Sequence, residues 1–289
     1  MGKILITGAG GFVGGYIARY LQENGYDVTG VVHHSMGKQD FPVYVADLAH
    51  SLDVEEHFDV IVHAAGERPL RRGEHHAYKH QDVQSFKQNN IDSMSNVLAF
   101  AERKKVKRII YLSSIGIYGE FHKTIIDEQA DIINPDTYGV TKYVAECLLR
   151  DKKSIDKIIL RMPGIVGPSA QDVWFTNVIE KMKRNEDITI FSPDFQTKNF
   201  VWLDDLAKFV DKLIQTKQWK YDVLNLACKQ SASVREIVTE MKRVTGSLSA
   251  IIVDNSMRQP FCLDNSRALA MGYEGISPLD IVRKFVSEK

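Results

Sequence analysis

The chain has 289 residues, of which 44% are hydrophobic, enough for the core of a large α/β domain with a smaller partner domain. Its 37 basic and 37 acidic residues balance, so neither nucleic acid nor an anionic membrane is expected as a partner. Three scattered cysteines, no secretion signal and no apolar run approaching the roughly 20 residues of a membrane span predict a cytoplasmic protein.

The stretch Lys3–Gly15 combines a strand, a glycine-rich turn and the start of a helix. Residues 4–7 predict a short buried strand, and Gly8, Gly11 and Gly14 follow at G-x-x-G-x-x-G spacing. This is the opening of a dinucleotide-binding βαβ unit, because glycines let the backbone approach a pyrophosphate and the helix N-terminus offers free N–H groups. A glycine-rich turn without a ligand is the alternative.

The second predicted strand, Asp27–Val32, bears on the choice of cofactor. Dinucleotide sites often place a carboxylate near its end to hold the adenosine ribose hydroxyls. Here His33 and His34 follow the strand, and Lys38 lies nearby. These residues tolerate a 2′-phosphate that a carboxylate would repel, so the sequence favours NADP over NAD. The alternative is that the two histidines only form a solvated loop.

The third and fourth strands are predicted at Val43–Ala46 and Val60–Val62. Asp47 follows the third strand, where its carboxylate can accept a hydrogen bond from an adenine amino group, cap the next turn, or do both. After the fourth strand, His63 is interpreted as a packing residue. The small side chains of Ala64 and Ala65 let the backbone pass close to a flat cofactor.

Residues 67–84 are polar and basic and predict a mobile loop that helps to hold an anionic substrate; a plain solvated loop is an equal alternative. Its basic residues and histidines are Arg68, Arg71, Arg72, His75, His76, Lys79 and His80. Their spacing matches no metal-binding motif, so no metal site is expected. A helix is predicted over Ser85–Lys104.

The fifth strand, Arg108–Leu112, leads into two hydroxyl side chains, Ser113 and Ser114. Ligands of doubly wound sheets bind beyond this end of the strands. Farther along, Tyr138 and Lys142 have the four-residue spacing that places both on one face of a helix. An ammonium group beside the phenol is expected to lower its pKa from about 10 and make it a usable acid or base. The alternative is a surface pair.

These motifs, in this order, resemble the extended short-chain dehydrogenase/reductase family, in its NAD(P)-dependent epimerase/dehydratase branch that acts on nucleotide sugars. The resemblance runs nearly end to end and includes N-I-x-S-x-x-N-V-L from Asn90, S-S-x-x-I-Y-G around Ser114, and the segments 160–168, 199–207 and 263–268. It implies a Rossmann α/β fold, with a doubly wound parallel sheet over 1–168. A smaller C-terminal α/β substrate domain is expected over 169–289, with residues 200–228 returning to the first domain.

The resemblance also implies roles for individual residues. Tyr138 exchanges a proton with the sugar, Lys142 tunes Tyr138 and holds the nicotinamide ribose, and Ser114 binds the reacting oxygen. Lys198 and Arg258 stand where relatives bind the phosphates of the substrate. A homodimer is expected through helices near 86–104 and 138–150. The implied cofactor-binding residues are Gly8, Gly11, Phe12, Val13, Gly14, His33, His34, Asp47, Leu48, His63, Ala64, Ala65, Asn90, Tyr138, Lys142, Pro163 and Ile165.

Two departures from the family's patterns narrow the set of reactions that the chain is expected to catalyse. Dehydratases carry Thr-Asp-Glu where this chain has Ser114-Ile115-Gly116, and galactose-type epimerases carry Asn at Gly164. With NADP favoured, the first prediction is an oxidoreductase that reduces a 4-keto sugar nucleotide, with Tyr138 as proton donor. The alternatives are a nucleotide-sugar 4-epimerase and, in another class, a non-catalytic NAD(P)-binding sensor or assembly factor.

Overall fold

The structure is a computed structural model that describes residues 2–35, 39–69, 83–171, 173–256 and 259–288. Several residues named above lie outside the described residues: Lys38, Arg71, Arg72, His75, His76, Lys79, His80 and Arg258.

Strands and helices alternate through most of the chain. The strands are β1 Lys3–Thr7, β2 Asp27–Val32, β3 Val43–Val45, β4 Val60–His63, β5 Arg108–Ser114, β6 Ile125–Ile126, β7 Asp156–Met162, β8 Gly164–Val166, β9 Ile188–Phe191, β10 Gln196–Thr197, β11 Phe200–Trp202, β12 Val223–Asn225, β13 Ala232–Ser233, β14 Ile251–Asp254 and β15 Cys262–Leu263. The helices are α1 Phe12–Glu23, α2 Val83–Phe86, α3 Ser93–Lys104, α4 Thr137–Asp151, α5 Trp174–Lys183, α6 Leu203–Gln215, α7 Val234–Thr245, α8 Ser266–Ala270 and α9 Pro278–Ser287. None of the helices in the described ranges is both long and apolar enough to span a bilayer.

Seven strands form the central sheet in the order β12-β7-β5-β4-β1-β2-β3. The ladders that join β1 to β2, β1 to β4, β2 to β3 and β4 to β5 are parallel. The chain first builds outward from β1 through β2 and β3, then returns to the other side of β1 with β4. The predicted doubly wound fold is therefore confirmed, and its switch point, where such sheets bind ligands, lies between β1 and β4.

Apolar side chains in register form the core on one face of this sheet. Leu5 pairs with Ile61, and Ile61 pairs with Ile109 on the next strand; all three side chains are fully buried. Helix α3 packs against this row through Val97, and α4 through Leu149. The strands read as continuous apolar runs because helices cover a parallel sheet on both faces.

The helix predicted over Ser85–Lys104 is interrupted by a π-helical segment at Lys87–Asp92. The π-helical segment holds the buried Asn90, whose side-chain amide donates to the Glu67 carbonyl and to the Thr141 hydroxyl. A π-helical turn changes the direction in which side chains leave a helix. The sequence pattern did not predict it, because the pattern records spacing and not the partners of Asn90.

The chain divides into two compact units. The first comprises residues 1–119, 134–161 and 210–224, and the second comprises 120–133, 162–209 and 225–289. Of the segment 200–228 that was expected to return to the first domain, residues 210–224 belong to the first unit. Residues 120–133 and 162–168, which were expected in the first domain, belong to the second unit. In the second unit, α5, α7 and α9 bury an apolar core in which the rings of Phe175 and Phe285 meet edge to face with centroids 5.6 Å apart.

Arg108, at the start of β5, caps the C-terminal end of α6. Its guanidinium donates to the carbonyls of Leu213, Ile214 and Thr216 and lies 4.1 Å from the centre of the Trp219 ring. Cations are favourable at helix C-termini because unpaired carbonyls and the helix dipole concentrate negative charge there.

We therefore expect Arg108→Met to lower the free energy of unfolding by about 2 kcal/mol, measured by chemical denaturation with Trp219 fluorescence as a probe. Arg108→Lys keeps the charge but loses the forked geometry and should fall between the two. An unchanged unfolding free energy in Arg108→Met would rule out this stabilising role.

Candidate active site

A cleft of about 510 Å³ opens in the first unit where β1 and β4 end. Eight of the cofactor-binding residues predicted from the sequence line it: Gly8, Gly11, His33, His34, Asp47, Leu48, Ala64 and Ala65. The ends of four parallel strands, β1 to β4, and the start of α1 bring these distant positions together. The arrangement is the one expected of a dinucleotide site.

The glycine turn contains two kinds of glycine. A side chain on Gly8, whose φ is +71°, would lie 2.7 Å from the backbone nitrogen of Ala65, and one on Gly14 would lie 2.4 Å from the Gly8 carbonyl. A Cβ on Gly11 would meet only that carbonyl, at 3.3 Å. Gly8 and Gly14 are therefore required by the fold itself. Gly11 begins α1, and the first turn of this helix carries no acidic residue to compete with an anion.

Asp47 lies at the end of β3 with both carboxylate oxygens engaged. One accepts the backbone N–H of Ala49 at 2.9 Å; the other lies 2.9 Å from His50 Nδ1 and 3.7 Å from His33 Nε2. The Ala49 hydrogen bond holds the pKa of Asp47 below its usual range, with a further contribution from the histidines. Asp47 thus caps its own turn and stays charged. No carboxylate ends β2, as the sequence indicated, but one from β3 lies beside His33.

Other predicted cofactor-binding residues do not line this cleft. The ring of His63 is buried and its Nδ1 lies 2.7 Å from the Thr7 hydroxyl; burial lowers its pKa to about 3, so it is neutral. Pro163 and Ile165 belong to the second unit. Phe12, Val13, Gly14, Asn90, Tyr138 and Lys142 are also absent from the lining.

Several lining residues were missed by the sequence reasoning. They are Gly10, Val31, Val32, Ser35, Ala46, Gly66, Glu67, Asn89 and Ser93. Gly66 and Glu67 directly follow Ala65, so the end of β4 was a usable signal for them. Ser93 belongs to the N-I-x-S motif quoted above, which was a usable signal for it. Asn89 had no such signal, because it lies in the π-helical segment, which changes the direction in which side chains leave the helix.

Ser114 and Tyr138 meet at the end of β5. Their hydroxyls are hydrogen-bonded to each other, and the Ser114 oxygen also accepts the Gly116 N–H at 3.0 Å. The close approach depends on Gly139, where a Cβ would lie 2.2 Å from the Gly116 carbonyl oxygen. Asp136 starts α4 by accepting the Gly139 N–H at 2.7 Å. The structure therefore brings the serine and tyrosine of the predicted catalytic group together.

The predicted lowering of the Tyr138 pKa is wrong for this arrangement. Burial raises that pKa above its ordinary value, against the lowering effect of the Ser114 hydrogen bond. Lys142 is buried on the same helix, but its Nζ donates to the Leu112 carbonyl at 2.8 Å. Burial lowers the pKa of Lys142 to about 7, and the nearby Glu146 carboxylate opposes this. The helical spacing was correct, but burial sets the direction of the Tyr138 pKa shift, and the Lys142 ammonium group donates to the Leu112 carbonyl.

A buried ion pair lies one helical turn beyond Lys142. Glu146 is fully buried and accepts hydrogen bonds from Ser113 Oγ at 2.6 Å, from Arg161 Nη2 at 2.8 Å and from Arg150 Nη2 at 2.9 Å. Arg161 also donates to the Tyr118 hydroxyl at 3.0 Å. The network ties β5, α4 and β7 together directly behind the Ser114–Tyr138 pair.

Lys198, predicted to bind substrate, lines a cleft of about 770 Å³ within the second unit. Its Nζ donates to Asn265 Oδ1 at 2.6 Å, and the buried Asn265 amide donates to the Ala227 and Cys228 carbonyls. Lys229 and Asp264 line the same cleft. The side chain is therefore held in place, with a second positive charge close by.

The sequence profile of the NAD dependent epimerase/dehydratase family matches residues 4–227. The chain belongs to this family. The match includes the glycine turn, the Ser114–Tyr138–Lys142 group and Lys198, so the enzyme class expected from the sequence is confirmed.

Relatives within the family carry out more than one reaction. The chain is 27% identical to a Methanocaldococcus jannaschii protein named "Putative UDP-glucose 4-epimerase", over 94% of this chain and 92% of that one. It is 26% identical to UDP-glucuronic acid decarboxylase 1 of Xenopus tropicalis, over 96% and 69% of the two chains. The crystal structure of UDP-glucuronic acid 4-epimerase from Bacillus cereus in complex with NAD superposes with a TM-score of 0.80, at 24% identity and 99% coverage of both chains.

The two kinds of glycine in the turn give a test of cofactor binding in this family member. We expect Gly11→Ala to keep its stability within about 1 kcal/mol but to weaken NADH or NADPH binding at least tenfold, roughly 1.4 kcal/mol, because its methyl group occupies the approach to the phosphates. Gly14→Ala is the matched comparison and should lose roughly 2 kcal/mol of stability through overpacking. Fluorescence titration and denaturation measure the two effects; unchanged dinucleotide affinity in Gly11→Ala would remove the turn from the binding site.

Proposed function

We propose that the chain oxidises and re-reduces C4 of a nucleotide sugar, with 4-epimerisation as the net reaction. The observation that carries this proposal is the hydrogen-bonded pair of Ser114 and Tyr138 at the end of β5, with Lys142 one turn along α4. Such a pair can take a proton from an alcohol and return it to the resulting ketone.

We place epimerisation ahead of 4-keto reduction, which was the first expectation from the sequence. Two of the relatives described above carry 4-epimerase names, and one of them was crystallised with NAD. The Asp47 carboxylate beside His33 also weakens the argument for NADP, because it is a negative charge at the place where a 2′-phosphate would bind.

The first-unit cleft fits NAD as the cofactor. The N–H groups in the first turn of α1, from Phe12 onward, suit its phosphates, since the Gly11 N–H already donates to the Gly8 carbonyl, and Asp47 suits the adenosine end. Ala64 and Ala65 leave room for a flat group. When bound, the nicotinamide accepts the hydride and later returns it.

The chain's own residues would move and place the proton. Tyr138 would accept the proton of the C4 hydroxyl as a phenolate, the form that burial disfavours, while Ser114 hydrogen-bonds the same oxygen. After the keto sugar has presented its other face, Tyr138 returns the proton and the configuration at C4 is inverted. A charged Lys142 would have to offset this effect of burial to favour the phenolate of Tyr138, and it would also hold the nicotinamide ribose.

In the second unit, Lys198 would contact a phosphate of the nucleotide sugar, with Arg258 as a further ligand. The fixed position of the Lys198 ammonium and the presence of Lys229 in the same cleft support this role. A lysine acts here as a point charge and lacks the bidentate contact of an arginine.

We also propose a homodimer through α3 and α4, since Val140 and Cys147 on α4 are exposed.

A keto-sugar reductase is the second candidate. The stacked rings of His33 and His34 at the cleft favour it, because histidines tolerate the 2′-phosphate of NADP.

Mass spectrometry of small molecules released on denaturation separates the two candidates. We expect retained NAD, because an epimerase returns its hydride to each substrate and has no need to exchange the cofactor. An empty protein that binds NADPH more tightly than NADH, with the preference lost in His33→Ala but kept in His57→Ala, would favour the reductase. Failure to bind either dinucleotide would contradict both.

Substitution of Tyr138 tests the chemistry. We expect Tyr138→Phe to lose turnover of a UDP-sugar panel by 100-fold or more, because the ring remains but its exchangeable proton is gone. Dinucleotide affinity should stay within about threefold of the wild type, which serves as the control for folding of the cleft. Full turnover in this variant would exclude Tyr138 as the proton carrier. A wild type that binds cofactor but converts no substrate would favour a sensor or assembly factor.

A further inference from the structure

The proposed role of Lys142 requires a charged ammonium group, but the surroundings of this group disfavour its charge. Only 5% of the residue is exposed, and burial lowers its pKa to about 7. Removing an ammonium group from water is costly unless other groups replace the lost solvation. The Leu112 carbonyl replaces part of it through a hydrogen bond of 2.8 Å.

The ring of Tyr111 lies against the same ammonium group. Lys142 Nζ is 4.3 Å from the centre of this ring, within the range of a cation–π interaction, which strengthens when both groups are out of water. Tyr111 is 1% exposed, and its ring is stacked on that of His63 with centroids 5.4 Å apart and an interplanar angle of 21°. The ring is therefore fixed by β4 and β5 and cannot turn away from the ammonium group.

The phenolic hydroxyl of Tyr111 contributes little to this arrangement. It is buried and has no hydrogen-bond partner in the part of the chain that the structure describes. A buried hydroxyl without a partner destabilises the fold. The useful part of Tyr111 is its aromatic face, which Phe would supply equally well and an aliphatic residue would not.

We propose that Tyr111 is a positioning residue that keeps the Lys142 amine protonated and directed along the end of β5 through a cation–π contact. The inference rests on the function proposed above, in which a charged Lys142 acts on Tyr138 and the cofactor. It adds a residue from β5 that does not line the proposed cofactor cleft.

The other titratable groups around Lys142 are neutral or already paired, so they stabilise its charge less than the Tyr111 ring does. Glu146, on the same helix, favours the charged amine, but its carboxylate is shared with Arg161 and Arg150. His63, from β4, is neutral. Tyr138 is a phenol whose burial favours its neutral form. Apart from the Leu112 carbonyl, the aromatic face of Tyr111 is thus the electron-rich group against the ammonium that, among the described residues, is not already paired with another cation.

The test is an NMR titration of the lysine side-chain Cε and Nζ resonances in the full chain without ligand, with Lys142 assigned from Lys142→Arg. We expect Tyr111→Phe to titrate within about 0.3 pH units of the wild type, and Tyr111→Leu about one unit lower, a tenfold weaker hold on the proton. The sign follows because loss of the aromatic face disfavours the charged form. A merely structural role for the ring would leave this titration unchanged.

A series of fluorinated phenylalanines at position 111 guards against loss of folding in Tyr111→Leu. Fluorination reduces the negative face of the ring while nearly keeping its shape. We expect the Lys142 titration to move to lower pH with each added fluorine. Equal titration of all ring variants, or of Tyr111→Leu and Tyr111→Phe, would overturn the proposal. The measurement needs no turnover, so its failure is distinguishable from failure of the proposed reaction.

Discussion

The close contact between the glycine turn and the end of β4 is the constraint on which the first unit depends. Gly8 packs its backbone against Ala64 and Ala65, and Gly14 brings α1 onto the Gly8 carbonyl, at distances that no side chain permits. The contact draws α1 and β4 together at the switch point of the sheet. The floor of the cleft at this point is therefore backbone, which lets a ligand approach the start of α1 closely.

A second constraint is the burial of charge behind the Ser114–Tyr138 pair. Glu146, Arg161 and Lys142 are all at least 95% buried, at positions on α4 and β7 that face the end of β5. Buried charges are tolerated only when each has good partners, and the hydrogen bonds of Ser113, Tyr118 and Leu112 supply them. Such a network ties together β5 and α4, the elements that carry Ser114 and Tyr138. It also makes the protonation of Lys142 depend on groups distant from the cleft.

The family includes relatives named as 4-epimerases and as a decarboxylase, so membership alone does not identify the reaction. The groups in this chain narrow the choice. A tyrosine–serine pair supports proton exchange with an alcohol or ketone, whereas Ile115 and Gly116 provide no side-chain acid or base for eliminating water. The reaction type that these residues can support is therefore the interconversion of an alcohol and a ketone.

The sequence by itself determined the first five strands, the parallel sheet, the glycine turn and the spacing of Tyr138 and Lys142. These features depend on local periodicity and on residue types with few conformational alternatives, such as the glycines, and they were predicted correctly. The tertiary structure alone decided the π-helical segment around Asn90, the Asp47 carboxylate beside His33, and the raised pKa of Tyr138. Each of these depends on contacts between residues far apart in the chain and on how much water they exclude. Four-residue spacing can place an ammonium and a phenol on one helix face, but only the packing of β5 against α4 decides whether burial or the neighbouring charge sets the pKa.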